Sequence, residues 1–307
     1  MHVDIKNFRG YLLLLLAQSM VGVCIVASKA LVEALPVISI LITRFTIGFL
    51  FLISIHFLLP KKNTTSLKEL LPLDWVFIVA QALCAGAFFN ILLLLGLQHT
   101  NADAAGIITS ALPAMVAFFS IIFLKERLTF HTTFCIVFAI VGLIIVNAHA
   151  LPTNRQNHFF GDMIILCSLV PEAAYYILSK MHQNKLPVFL VSALMNGINI
   201  PIFLLFFLAQ SQATPLGLLF DNLLLLMIVG IGSALFYVFW FLGCKNVHGT
   251  AAGLTTAFMP VSTLTMAYLF LDEKISPTQM IGMLFIIFSI FSNVLQKSKH
   301  QTIKTVP

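Results

Sequence analysis

The run YLLLLLAQSMVGVCIVASKAL, Tyr11 to Leu31, holds a single charged residue, Lys29. A helix crosses a hydrocarbon layer about 30 Å thick with about 20 mostly apolar residues at 1.5 Å each. This block is that long, and others like it recur down the chain. Of the 307 residues, 60% are hydrophobic and 9% charged, where a soluble domain has roughly a quarter charged. The composition therefore predicts an all-α integral membrane protein. Lys6 and Arg9 precede the first block as they would in a secretory leader. Its apolar run is longer than the usual 7–15 residues and no small-residue cleavage site follows, so a retained first span is expected.

Breaks by Pro, Gly, Asn and charge divide the chain into ten expected transmembrane helices. They lie near residues 11–31, 37–59, 74–97, 102–124, 131–149, 160–179, 187–209, 221–243, 249–271 and 277–296. With a cytoplasmic N-terminus, the inner segments hold Lys6, Arg9, Lys61, Lys62, Lys68, Lys125, Arg127, Lys180, Lys185, Lys245, Lys297, Lys299 and Lys304. The outer segments hold only Lys29, Arg155 and Lys274. The positive-inside bias therefore places both termini in the cytoplasm, and Asn63, in a glycosylation-like triplet, falls on the wrong side for that modification. The net charge of +6 reads as this topology signal rather than as a nucleic-acid surface, since the basic residues are not interleaved with aromatics. Cys24, Cys84, Cys135, Cys167 and Cys244 lack disulfide or metal spacing and read as small core residues.

LKERLT at Leu124–Thr129 and LDEKIS at Leu271–Ser276 stand 147 positions apart, and the correspondence extends well past them. At the same offset Asp74 meets Asp221, Gly96 meets Gly243, Ala104-Ala105-Gly106 meets Ala251-Ala252-Gly253, Thr109 meets Thr256 and Pro113 meets Pro260. At an offset of 151, Gly10 meets Gly161, Ser28-Lys29 meets Ser179-Lys180 and Pro36 meets Pro187. These pairs predict a duplication, residues 10–149 and 160–296, with five helices in each copy. Five is odd, so the second copy would enter from the opposite face. Two inverted five-helix repeats form the plan of many alternating-access transporters.

Small residues spaced four apart, Ala102 with Gly106 and Gly249 with Gly253, suit close helix approach in lipid. Pro113 and Pro260 would kink those same helices, as a gate or as a packing bend. Ser276, Pro277 and Gln279 make a capped helix start, and Thr129 caps the equivalent helix in the first copy. Each hexapeptide is then a tight hairpin. Glu126 and Glu273 would sit near helix C-termini, where an anion needs a cation or an N–H; Arg127 and Lys274 are the nearest candidates. Both glutamates read as structural fasteners.

These residues resemble the drug/metabolite transporter superfamily, in particular its ten-span members built from two EamA-type repeats. The resemblance rests on Arg44-Phe45, on the run Gly96, Ala104-Ala105, Pro113, Glu126-Arg127-Leu128-Thr129, and on its twin Gly243, Ala251-Ala252, Pro260, Glu273-Lys274-Ile275-Ser276. It covers Gly10 to about Gln296 and implies a central cavity, alternating access and no ATPase or cofactor. One departure is Met195 in the second copy where the first has Arg44.

A charge within a span is expensive and defaults to function. Glu172 and Arg44 are two such charges, about five residues or 7.5 Å apart in depth, which long side chains or a water would bridge. Glu172 carries a coupling proton, holds a cationic or amine-bearing substrate, or neutralises Arg44; the sequence leaves all three open. Further candidate cavity groups are Gln18, Gln81, Asn90, Tyr175, Tyr176, Asn196, Asn199, Tyr237 and Trp240, each otherwise a helix-to-helix hydrogen bond. Tyr176, Tyr237, Trp240 and Phe89 would offer aromatic faces to a planar or cationic cargo. His99 and His248 flank the starts of helices four and nine, on opposite sides by the repeat. No enzyme, nucleotide-loop or metal motif is present, and no channel-filter repeat.

The expected activity is secondary transport of small organic metabolites such as amino acids or drugs across a bacterial inner membrane, in the export direction. Uptake of a nucleotide-derived metabolite such as S-adenosylmethionine, or a non-transporting scaffold, stand as alternatives. The expected partners are a small-molecule substrate and the lipid bilayer, with no nucleic acid, in a monomer or homodimer.

Overall fold

A computed structural model describes residues 5–59, 67–100, 105, 108–147, 159–182, 186–209 and 215–303. The described residues are helical apart from turns and short connections. The main helices are α1 Ile5–Leu31, α2 Val37–Leu58, α3 Pro72–Leu97, α4 Leu112–Phe123, α5 Phe130–Asn147, α6 Phe159–Met181, α7 Val188–Ala209, α8 Leu223–Cys244, α9 Gly249–Leu271 and α10 Pro277–Ile303. Among the described residues, nine are long and apolar enough to cross a membrane, and α4 is a shorter apolar helix of 12 residues. Large apolar side chains such as Phe57, Leu205, Leu224 and Phe270 face outward. In water such a surface would drive aggregation; in a bilayer it is the lipid-facing coat of an integral membrane protein.

The neighbours follow a pattern. α1 lies against α8 and α9, and α6 lies against α3 and α4. α2 packs on α7 and α8, while α7 packs on α2 and α3. α5 pairs with α10, and α4 with α9. Small residues make the approaches close. A methyl group at Gly253 would stand 2.5 Å from Val116 Cγ1, and one at Gly243 would stand 2.9 Å from the Gly10 carbonyl. Gly106, the twin of Gly253, lies outside the described residues, as does Asn63.

Contacts between helix termini define two ends of the bundle. At the near end, where α1 begins, Tyr11 donates to Asn293 Oδ1 of α10 (3.0 Å) and Lys180 of α6 donates to the Cys244 carbonyl of α8. His182 meets Asp74 at the start of α3 there (2.6 Å). At the far end Lys29 pairs with Glu273, and Thr100 donates to Asp162 of α6 (2.6 Å). α1 therefore runs from near to far and α6 from far to near.

Several helices depart from regularity where the sequence suggested plain spans. α3 contains a π-helical segment, Cys84–Phe88. Asn199 of α7 donates to the Ala82 carbonyl just before it (2.9 Å), and Asn90 donates to Gly86 (2.6 Å). A side chain inserted from outside is a recognised cause of such a bulge. Gly86 admits it, because a methyl group there would stand 2.1 Å from Asn199 Nδ2. Pro113 and Pro260 were expected as mid-span kinks. The helix is interrupted just before each, by turns at 110–111 and 256–257, and each proline stands in the first turn of the stretch that resumes, Leu112–Phe123 and Phe258–Leu271, where its missing N–H costs little.

Candidate functional site

Pro171 lies inside α6 and removes a helical hydrogen bond just before Glu172. One turn on, the Tyr176 hydroxyl donates to Glu172 Oε1 (2.8 Å). Glu172 is enclosed by protein, deep in the bundle. Gln18 of α1 lies beside the Tyr176 hydroxyl, and its Nε2 is buried without a partner. Arg44 of α2 lies within electrostatic reach of Glu172 and of Tyr237, and its buried Nε has no hydrogen-bond partner. No ion pair within 4.0 Å joins Arg44 to Glu172 among the described residues. The direct pairing considered for the two charges is therefore absent. They stay apart because Glu172 turns to the tyrosine of its own helix.

Between Glu172 and the near end lies an aromatic floor. The Tyr176 and Trp240 rings are 4.4 Å apart, Tyr175 meets Tyr237 edge-on at 5.9 Å, and Phe236 joins both Tyr237 and Trp240. Trp240 Nε1 donates to Ser179 Oγ (3.0 Å). These rings bury one another, so in this conformation they plug rather than line a cavity. Phe89 does not join them. Beneath the floor the space beside Ser179, Cys244 and Lys245 is only about 20 Å³. At the far end a cavity of about 370 Å³ is lined by Ile25, Pro113, Asn147, Pro260 and Gln279, among others, within the range of small-molecule sites.

Of the other predicted residues, Gln81 is fully buried on α3 with neither amide atom partnered. Asn90 uses its amide on its own helix. Asn196 donates to the Ser192 carbonyl (2.9 Å) and leaves Oδ1 unpartnered against Gly48. His99 stacks edge-on with Phe160 at 5.4 Å. The five cysteines are free.

The hairpins after α4 and α9 keep their predicted caps. The Thr132 N–H donates to Thr129 Oγ1 (3.1 Å), and Ser276 and Gln279 exchange reciprocal bonds of 2.9 and 3.2 Å. The compensating groups differ from those expected. Glu126 accepts the Gly249 N–H on Oε1 (2.7 Å) and the Thr250 N–H on Oε2 (2.9 Å), at the start of α9, rather than pairing with Arg127. Glu273 pairs with Lys29 of α1 rather than with Lys274. Burial opposes the Glu126 charge, but His248 and the Thr250 and Gly249 N–H groups overcome it and hold the carboxyl near a pKa of about 2. His248 Nδ1 is 3.8 Å away, beyond hydrogen-bond length, so the two backbone bonds carry most of this effect. Lys29 and Lys180, which the sequence reading marked only as repeat equivalents, are the cations engaged at the two ends, on Glu273 and on the Cys244 carbonyl.

Residues 8–148 and 159–295 each match the EamA-like transporter family. The chain is similar to the uncharacterized transporter YetK of Bacillus subtilis, at 24% identity over 298 residues, covering 96% of this chain and 89% of that one. It is also similar to the uncharacterized transporter YoaV of the same organism, at 22% identity over 284 residues, or 90% and 93% of the two chains. A solved crystal structure superposes with a TM-score of 0.76 over 96% of both chains at 18% identity, which establishes a common fold.

Proposed function

The chain belongs to the EamA-like transporter family, and from that premise we propose that it is a ten-span secondary carrier of small organic metabolites, built from two inverted five-helix repeats. The repeats are residues 10–149 and 160–296, with both termini and the near end in the cytoplasm of a bacterial cell and the chain in its inner (plasma) membrane. The neighbour pattern supports the repeat: exchanging α1–α5 for α6–α10 maps each of the packing pairs described above onto another of them or onto itself. The observation that carries alternating access is that this symmetric frame is filled asymmetrically. A cavity of about 370 Å³ lies on the far side, while the mutually buried rings of the aromatic floor leave about 20 Å³ beside Ser179 and Cys244 on the near side. The other near-side space is an apolar groove of about 490 Å³ on the exposed face of α3 at Trp75 and Phe88. Trading conformations between halves would open the near end and close the far one.

The cargo site lies around Glu172, with Tyr176, Gln18 and Arg44 beside it and the aromatic floor beneath. Opposite charges held apart in one enclosed region suit amino acids or related metabolites, moved outward. Glu172 carries the coupling proton, so cargo and proton compete for one carboxyl. In proteoliposomes Glu172→Gln is expected to retain counterflow exchange of the cargo and to lose accumulation driven by a pH gradient. Unchanged accumulation in that variant would remove the proton role. Absence of any flux from a panel of metabolites would remove the carrier assignment.

A further inference from the structure

The two hexapeptide hairpins are conformational twins. Lys125 and Asp272 occupy the same repeat position and both have a left-handed backbone, φ 53° in each. The Glu126 N–H donates to the Ser120 carbonyl (3.3 Å), and the Glu273 N–H donates to Ala267, the repeat equivalent of Ser120 (3.4 Å). With matching backbones, the two carboxylates are launched from the same local geometry. Their partners nonetheless differ. At the closed near end Glu126 grips the first two N–H groups of α9, while Lys180 donates to the Cys244 carbonyl. At the open far end Glu273 is held by Lys29. Lys29 and Lys180 are themselves repeat equivalents.

From this we infer that Glu126 and Lys180 form a partner-swapping latch: opening of the near end transfers the Glu126 carboxylate from the Gly249 and Thr250 N–H groups to the Lys180 ammonium. The far end displays the released arrangement, lysine on glutamate, and the near end displays the set one. The inference rests on the alternating-access reading above. The exchange is chemically balanced in both positions. In the set state the carboxylate has two N–H donors and the ammonium has a carbonyl. In the released state each charge has the other. No buried charge is stranded on the way, which matters because an unpartnered one would be costly. In the released state the α9 N–H groups turn to water at the opened end. By the repeat, the corresponding second acceptor for Lys29 would be the carbonyl of Leu97, the equivalent of Cys244.

The native Cys244 thiol is a reporter, since it is buried at the near end beneath the set latch. The test is its modification by N-ethylmaleimide in the full chain in detergent, located by peptide mass spectrometry. Thr250→Pro removes one N–H from the set latch and leaves the released pair intact; proline is tolerated in a first helical turn. It should speed Cys244 labelling about tenfold, the scale of one charge-assisted hydrogen bond. Adding Lys180→Gln to that variant should reverse the gain. Lys29→Gln alters only an exposed side chain at the other end, so local unfolding near Cys244 cannot explain its effect. By weakening the released pair there, it should speed near-end labelling about threefold. Unchanged or slower Cys244 labelling in Lys29→Gln, or no reversal by Lys180→Gln, would overturn the latch alone. If wild-type Cys244 labels only at the rate of global unfolding, alternation itself falls and the latch with it.

Discussion

Glu126 and Glu273 are one residue written twice, yet they live in different chemistry. Their hairpins share a left-handed residue and a capping bond. One carboxylate is nearly enclosed, with 15% of its side chain exposed, and holds two backbone N–H groups. The other is 45% exposed and pairs with a lysine that is 61% exposed. The hairpin backbone is common to the two copies, whereas the groups that meet the carboxylate are not. The sharpest test is truncation. Glu126→Ala should lower unfolding stability in detergent by about 3 kcal/mol, because it strands two helix-start N–H groups. Glu273→Ala should stay within about 1 kcal/mol, as exposed ion pairs do. Equal losses in thermal melts of the two variants would erase the distinction drawn between the ends.

Acid should separate the same two positions. The Glu126 carboxyl is held below its unfolded value of 4.5, near about 2 in the folded chain. Its stabilisation is therefore complete above about pH 4.5 and is lost as pH falls toward 2. Between pH 7 and pH 3 the loss amounts to roughly 2 kcal/mol by linkage. Melting temperatures measured down to pH 3 should fall less steeply in Glu126→Gln than in wild type. Parallel curves would mean that the N–H grip does not distinguish the charged carboxylate from its amide.

How much of this was legible in the sequence depends on the range of the interaction. Long apolar runs, the Ser276–Gln279 cap and the Thr129 cap are set by neighbours within a turn or one bilayer crossing, and the structure keeps them. Pro113 and Pro260 mark where the helical stretches are interrupted, but sequence alone does not show that the break falls just before each proline rather than as a bend through it. The π-segment Cys84–Phe88 had no local signature, since Asn199 imposes it from a helix more than a hundred residues away. The Glu126 grip failed for the same reason: its donors, Gly249 and Thr250, are 123 and 124 positions on. Gln18, Glu172, Tyr176 and Arg44 were picked because polar groups in apolar spans are expensive, and the fold gathers them. That energetic rule does not say which partner each takes, and it did not foresee that Glu172 would bind Tyr176.

The smallest expected effect is the one in which the twins should agree. Lys125 and Asp272 carry side chains in a left-handed conformation that favours glycine at a helix C-terminus. Neither side chain is needed for the capping bond, which runs between backbone atoms of the flanking residues. Lys125→Gly and Asp272→Gly should therefore each raise stability by about 0.5–1 kcal/mol, the relief of left-handed strain less the added freedom of the unfolded chain. Chemical denaturation of the two variants should give equal shifts within error. A gain at one hairpin and a loss at the other would show that the backbones are not equivalent under load. The different partners of Glu126 and Glu273 would then follow from unequal hairpins, and the state of the two ends would no longer be needed to explain them.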